Sequence, residues 1–230
     1  MLLQGAGLME MLIVLPALVV ALTIHELCHG LAAYALGDST AKNDGRLSLN
    51  PIRHIDPIGL ICILIAGFGW AKPVMVDSRN LKNERVGMAL VAIAGPLSNF
   101  IIAFLMMLIT LFLMYSYPQV MLQSLNEPSF VMNALVALCQ INIVLGVFNL
   151  IPLPPLDGSK VLAMFLPGAL WETWMRLERY GMILLLLLVI SGATGGIIMT
   201  PANWIFDRML MGADGIMGFL GVIGSGGIRR

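Results

Sequence analysis

The stretch "MLIVLPALVVALTIHELCHG", residues 11–30, places two histidines, a glutamate and a cysteine directly after twelve residues of nearly pure hydrocarbon. A run of this character is the core of a transmembrane helix. Ionisable groups inside such a helix cost several kcal/mol and mark a functional site. His25, Glu26 and His29 therefore need a chemical reason to be where they are.

The rest of the chain has the same character. Of 230 residues, 59% are apolar and 11% charged, where a soluble domain carries about 25% charged residues. The mean hydropathy is +0.91. Several further apolar stretches of spanning length predict a multi-pass membrane protein: an all-α polytopic bundle of about four to five transmembrane helices embedded in the lipid bilayer. Helices are expected over 8–36, 86–116, 130–148 and 178–198. The stretch 203–223 is interrupted by Asp207, Arg208, Asp214 and several glycines, and is either a fifth span or an interfacial helix. The first apolar stretch runs past signal-peptide length without a small-residue cleavage site, so it reads as a retained helix. A formal net charge of zero gives no electrostatic support for a nucleic-acid partner. Cys28, Cys62 and Cys139 are too scattered for a disulfide framework or a thiolate metal cluster and read as small apolar residues.

Between the first two helices, residues 38–85 form an insert of different character. "GRLSLNP" (45–51) and "WAKPVMVD" (70–77) alternate polar and apolar residues, the pattern of short strands. An edge strand near 70–77 could hold an extended peptide by backbone pairing. "IDPIGLICILIAGFG" (55–69) is apolar but too short to span and reads as re-entrant. With no repeat and no linker, residues 1–230 read as one domain carrying a small β insert. The insert also holds seven of the thirteen Lys and Arg residues, namely Lys42, Arg46, Arg53, Lys72, Arg79, Lys82 and Arg85, whereas 117–129 holds none. The positive-inside rule then puts the insert in the cytoplasm and the N-terminus outside. Trp70, Trp171 and Trp174 are expected at the inner interface, and Tyr115 and Tyr117 at the outer one.

His25 and His29 are four apart, so their imidazoles share one helix face and can bind one metal ion. In the pattern His-Glu-x-x-His, Glu26 takes the part of general base for a metal-activated water. A hydrogen-bonded histidine pair would give no reason to bury a glutamate beside it. Two histidines leave a zinc site one protein ligand short. The second polar intrusion, "FNLIPLPPLDGSK" (148–160), breaks a helix with Pro152, Pro154 and Pro155 and presents Asp157 on the same side of the membrane. Asp157 is either the third ligand or the cap of the helix beginning near Ser159. Asn99, an amide within an apolar helix, is either an oxyanion or substrate contact or a helix–helix hydrogen bond. Asn142 and Asn149 read as structural, Gly95 and Pro96 as shaping their helix, and His54 as lying on the surface or near the site without ligating metal.

"HELCH", "AGPLSNF" (94–100) and "NLIPLPPLDG" (149–158) together resemble the site-2 protease family of intramembrane zinc metalloproteases. "GRLSLNPIRHIDPIG" and "GFGWAKPV" resemble the insert of its short prokaryotic branch, which lacks a PDZ domain. The resemblance spans roughly residues 15–165. It implies a Zn2+ cofactor held by His25, His29 and Asp157, with Glu26 as catalytic base and Asn99 near the substrate. It implies an endopeptidase of the prokaryotic cell membrane, cutting a transmembrane helix of another protein within or near the bilayer; the Lys/Arg bias puts its active site toward the cytoplasm. A membrane metal-ion transporter would also explain intramembrane His and Asp, but it should show a repeat and a second polar face. Neither is present. The sequence names neither the substrate nor an oligomeric state.

Overall fold

A computed structural model describes residues 7–66, 69–117, 129–192 and 194–222. Three of its helices are long and apolar enough to cross a membrane: α1 (Leu8–Ala35), α4 (Glu84–Ser116) and α5 (Phe130–Asn149). At 1.5 Å per residue their 28, 33 and 20 residues extend about 42, 50 and 30 Å. Each has a defined end. Asn83 caps α4 by accepting from the Val86 N–H, and Ser129 caps α5 by accepting from that of Met132. Helix α1 stops where Gly37 takes φ +111°. The Gly37 N–H then bonds the Tyr34 carbonyl and the Asp38 N–H that of Ala33, the paired closure that a left-handed glycine makes possible.

The α4 helix is the centre of the molecule and packs against α1, α5, the short α6 (Asp157–Met164) and α9 (Thr194–Phe219). Small residues let these helices approach where there is no water to drive them together. Ala17, Ala21, Gly30 and Ala33 are buried on α1, and Ala89, Ala92, Gly95 and Ala103 on α4. One apolar cluster joins Ala103, Met107 and Leu111 of α4 to Cys139, Ile143 and Val147 of α5 and to Ala202, Ala213 and Met217 of α9. A second joins Ala17 and Ala21 of α1 to Ile141 of α5.

Two expectations are corrected. The insert contains no β-strand among the described residues; its single sheet-like contact is an isolated antiparallel bridge between Ile55 and Ala71. Instead it holds α2 (Thr40–Asn43), a 3-10 turn at Pro51–Arg53, α3 (Pro57–Ala66), a second 3-10 turn at Ser78–Asn80, and an extended strap over 70–77. Prolines 51, 57 and 73 remove ladder donors. The Lys72 N–H donates to the His54 carbonyl beside that bridge, and two further strap groups bond to side chains instead of a strand: Pro73 C=O to Arg46 and Val74 N–H to Glu26.

The continuous helix expected over 178–198 is also broken. It appears as a 3-10 turn at Glu178–Tyr180 and a ten-residue α8 (Gly181–Ile190), with Gly192 at φ +71° before α9 begins. Helix α9 covers most of 203–223, and its charged residues keep it out of the set of spans defined by length and hydropathy. Preceding α8, α7 (Gly168–Leu177) is amphipathic, with the Trp174 indole N–H donating to the Ser159 carbonyl.

Candidate metal centre

The His-Glu-x-x-His motif lies in the C-terminal half of α1, and Asp157 opens α6 just after the proline-rich turn. The fold brings His25, His29 and Asp157 into one buried group. Nε2 of His25 lies 2.9 Å from Nε2 of His29, and Oδ2 of Asp157 lies 3.1 and 3.2 Å from these two atoms. The imidazole planes stand at 89° to each other.

Hydrogen bonds on the far side of each ring identify what these three atoms present to one another. Nδ1 of His29 lies 2.7 Å from the Val91 carbonyl oxygen. A carbonyl only accepts, so Nδ1 carries a proton, and in the neutral ring Nε2 keeps a lone pair for a metal. For His25 the argument runs through two amides. The Asn142 amide donates to the Leu138 carbonyl at 2.8 Å, which turns its oxygen toward Asn99. The Asn99 amide donates to that oxygen at 2.8 Å, leaving its own oxygen 2.6 Å from Nδ1 of His25. So Nδ1 of His25 is also the donor, and in the neutral ring its Nε2 also has a lone pair.

Two imidazole lone pairs and a carboxylate oxygen thus converge inside a site where the three residues are 3%, 8% and 8% exposed. Without a cation the arrangement is repulsive. A tetrahedral zinc site with bonds of 2.0–2.2 Å holds its donors about 3.3–3.6 Å apart, and the observed triangle is a few tenths of an ångström tighter. The donor set, its burial and its outer hydrogen bonds all fit zinc. Asp157 is the first residue of α6, and Leu156 at the cap position makes no side-chain capping bond. The carboxylate is turned to the histidines, while Ser159 Oγ donates to the Leu156 carbonyl.

Glu26 is half-buried, and its Oε2 accepts from the backbone N–H of Val74 in the strap at 3.0 Å. Asn99 is fully engaged: its oxygen faces His25, and its amide serves Asn142 and, at 3.4 Å, the Ala21 carbonyl. Asn149 donates back to the Leu145 carbonyl within its own helix. His54 is completely buried, with Nε2 on the Ser48 carbonyl, and belongs to the insert rather than to the donor group. Cys28 is a half-buried free thiol outside that group.

Sequence reasoning missed three contributors. A Cβ on Gly95 would fall 2.5 Å from Nε2 of His29 and 2.6 Å from Cε1 of His25, so α4 presents bare backbone to both imidazoles. The Val91 carbonyl, one turn earlier, fixes the His29 tautomer. The Val74 amide holds Glu26. The glycine in an apolar helix was a visible signal of close approach; the two backbone groups leave no mark in residue identity.

The chain is similar in sequence to known proteins. The model of peptidase family M50 matches residues 119–190, a segment that includes Asp157. The chain is 44% identical over 175 residues to "Putative zinc metalloprotease YwhC" of Bacillus subtilis, covering 76% of this chain and 78% of the relative. It is 24% identical over 203 residues to "Putative zinc metalloprotease Rip2" of Mycolicibacterium smegmatis, covering 85% and 73%. To the Mycobacterium tuberculosis (strain H37Rv) protein of that name it is 27% identical over 194 residues, covering 82% and 70%. No solved structure matches.

Proposed function

The chain belongs to peptidase family M50, the site-2 protease family of zinc metalloproteases, and we propose that it cuts membrane-protein substrates within or near their transmembrane helices. The observation that carries this reading is the convergence of three potential ligand atoms inside a helix-lined, apolar site. His25, His29 and Asp157 would hold the ion, leaving one coordination position open. Zinc bound there supplies Lewis acidity, bringing the pKa of a water to about 7 and polarising a carbonyl.

The chain's own groups have separate tasks. Glu26 takes a proton from the attacking water and returns it to the leaving amine. Because its Oε2 is held by Val74, its other oxygen is left to do so. Asn99 and Asn142 hold the His25 ring and its tautomer, and the Val91 carbonyl does the same for His29. Of the two roles open to Asn99, its hydrogen bonds support this one over contact with an oxyanion. Helices α1, α4 and α5 keep bulk water away. We read them as three crossings of one domain; the 26 residues of α9 are long enough for a fourth, whereas the ten of α8 extend only about 15 Å. The Lys and Arg excess of the insert supports an active site in the cytoplasmic half of a prokaryotic cell membrane.

The test uses the full chain purified into lipid vesicles with a single-span substrate. Mass spectrometry should find a cut within the substrate's apolar segment or a few residues from it. The cut should vanish on chelation, return with zinc, and be absent in Glu26→Gln. Cleavage confined to soluble loops, or unaffected by chelator, would reject the proposal.

A further inference from the structure

Five contacts fix the strap over seven residues. Ala71 bridges Ile55, and the Lys72 N–H donates to the His54 carbonyl at 2.8 Å. The Arg46 guanidinium, itself buried, donates to the carbonyls of Arg53 and Pro73. The Val74 N–H donates to Glu26 at 3.0 Å, and the Asp77 N–H to Oδ2 of Asp38 at 2.8 Å.

The last of these ends on an unusual group. Asp38 is completely buried, and no Lys or Arg is among its hydrogen-bond partners. Its Oδ1 accepts from the Thr40 N–H, the Thr40 hydroxyl and the Asn80 amide, and its Oδ2 from Asp77. Burial opposes its charge, yet these donors hold the carboxyl below its usual range. A carboxylate so enclosed needs every bond it makes.

Its position explains what the bonds accomplish. Asp38 closes the C-terminal end of α1, bonded through its own N–H to Ala33, so it is rigidly joined to the helix that carries Glu26. Asn80 and Asp77 tie the far end of the strap to that same point. The glutamate and the anchor of the strap that grips it therefore move as one body. Without the anchor, a half-buried glutamate has rotamer freedom, and a misplacement of about 1 Å can cost up to about 100-fold in rate.

We propose that Asp38 is a positioning residue for proteolysis: it holds the 70–77 strap so that the Val74 N–H keeps the Glu26 carboxylate in place. This rests on Glu26 being the general base. The test measures kcat, KM and zinc content of the vesicle-bound enzyme for Asp38→Ala, Asp38→Asn, Val74→Pro and the Asp38→Ala/Val74→Pro pair, with Glu26→Gln as reference. Asp38→Ala should lower kcat about tenfold, change KM little and keep zinc at the parent level. Asp38→Asn offers one oxygen to the Thr40 and Asn80 donors and turns its NH2 against the Asp77 N–H, so it should lose rate much as Asp38→Ala does, again with little change in KM. The pair should be no worse than Val74→Pro alone, because both act through one bond. Should Asp38→Ala fail to fold, Asn80→Ala removes one donor and is read by the same criteria. Parent-level kcat, multiplicative losses in the pair, or a matching loss of zinc would each overturn the proposal. Activity in Glu26→Gln would overturn the assignment of the base instead.

Discussion

His25 on α1 and Asn99 on α4 meet through a 2.6 Å hydrogen bond, and Asn99 passes the connection on to Asn142 on α5. All three helices long and apolar enough to cross a membrane thus act on the orientation of one imidazole. The chain ends on the Leu138 carbonyl, which can only accept, so each amide has one possible orientation along it. Asn99 and Asn142 are both completely buried. Within lipid, a half-satisfied amide would be costly, and here every polar end has a partner.

Shortening this chain should weaken metal binding without unfolding the protein. Asn142→Leu fills similar space but releases the Asn99 amide, which can then turn its NH2 toward His25 and favour the wrong tautomer. Loss of such outer hydrogen bonds costs about 10–100-fold in metal affinity. Competition with a chelator of known affinity would measure it. Zinc affinity equal to the parent's would reject this role for both asparagines.

Gly95 gives a sharper contrast. Alanine is favoured over glycine inside a helix by about 1 kcal/mol, so Gly95→Ala should stabilise α4 if local preference alone mattered. Its methyl would instead fall 2.5 Å from the His29 ring. The expected result is loss of both zinc and cleavage. Gly146→Ala is the control: its methyl would meet the Phe100 ring at 2.8 Å, away from the metal donors. That variant should lose thermal stability but keep zinc once folded. Equal zinc retention in the two variants would show that Gly95 is not a site residue.

The contrast also shows which features could be read from sequence. The ends of α1, α4 and α5 follow from apolar runs closed by Gly37, Asn83, Ser129 and Pro152, and the expected bounds differ from the observed ones by at most two residues. His25, His29 and Asp157 were legible because ionisable residues are rare in such surroundings. The insert was not. Alternation over 70–77 has the strand period, but a strand needs a neighbour with free backbone groups. In this fold Glu26, Arg46 and Asp38 take those positions. Residue identity also hides that Gly192 ends α8 early, because glycine in a run of apolar residues is compatible with a continuous span.

Orientation in the membrane can be tested independently of catalysis. Asp44 and Ile52 are exposed in the insert, which carries most of the chain's basic residues. Single cysteines placed there, in a background lacking Cys28, Cys62 and Cys139, should resist an impermeant maleimide in intact cells and react after permeabilisation. Tyr117, at the opposite end of α4, should show the reverse when changed to cysteine. Labelling of position 44 or 52 in intact cells would place the insert outside and invert the proposed topology.

The two carboxylates of the site should separate by metal content. Oδ2 of Asp157 points at both imidazoles, whereas Oε2 of Glu26 is bonded to the Val74 amide. Glu26→Gln preserves size and keeps an oxygen for Val74 but cannot take up a proton. The purified variant should retain about one zinc per chain and lose cleavage by at least about 100-fold, the lower end of what a general base contributes. Asp157→Ala leaves two histidine donors whose lone pairs still face each other across 2.9 Å. With a ligand missing, zinc content and activity should fall together, and adding excess zinc should restore occupancy before it restores rate. Metal analysis of both variants beside the parent gives the answer: zinc lost from Glu26→Gln, or full occupancy in Asp157→Ala, would exchange or cancel the roles assigned to these residues.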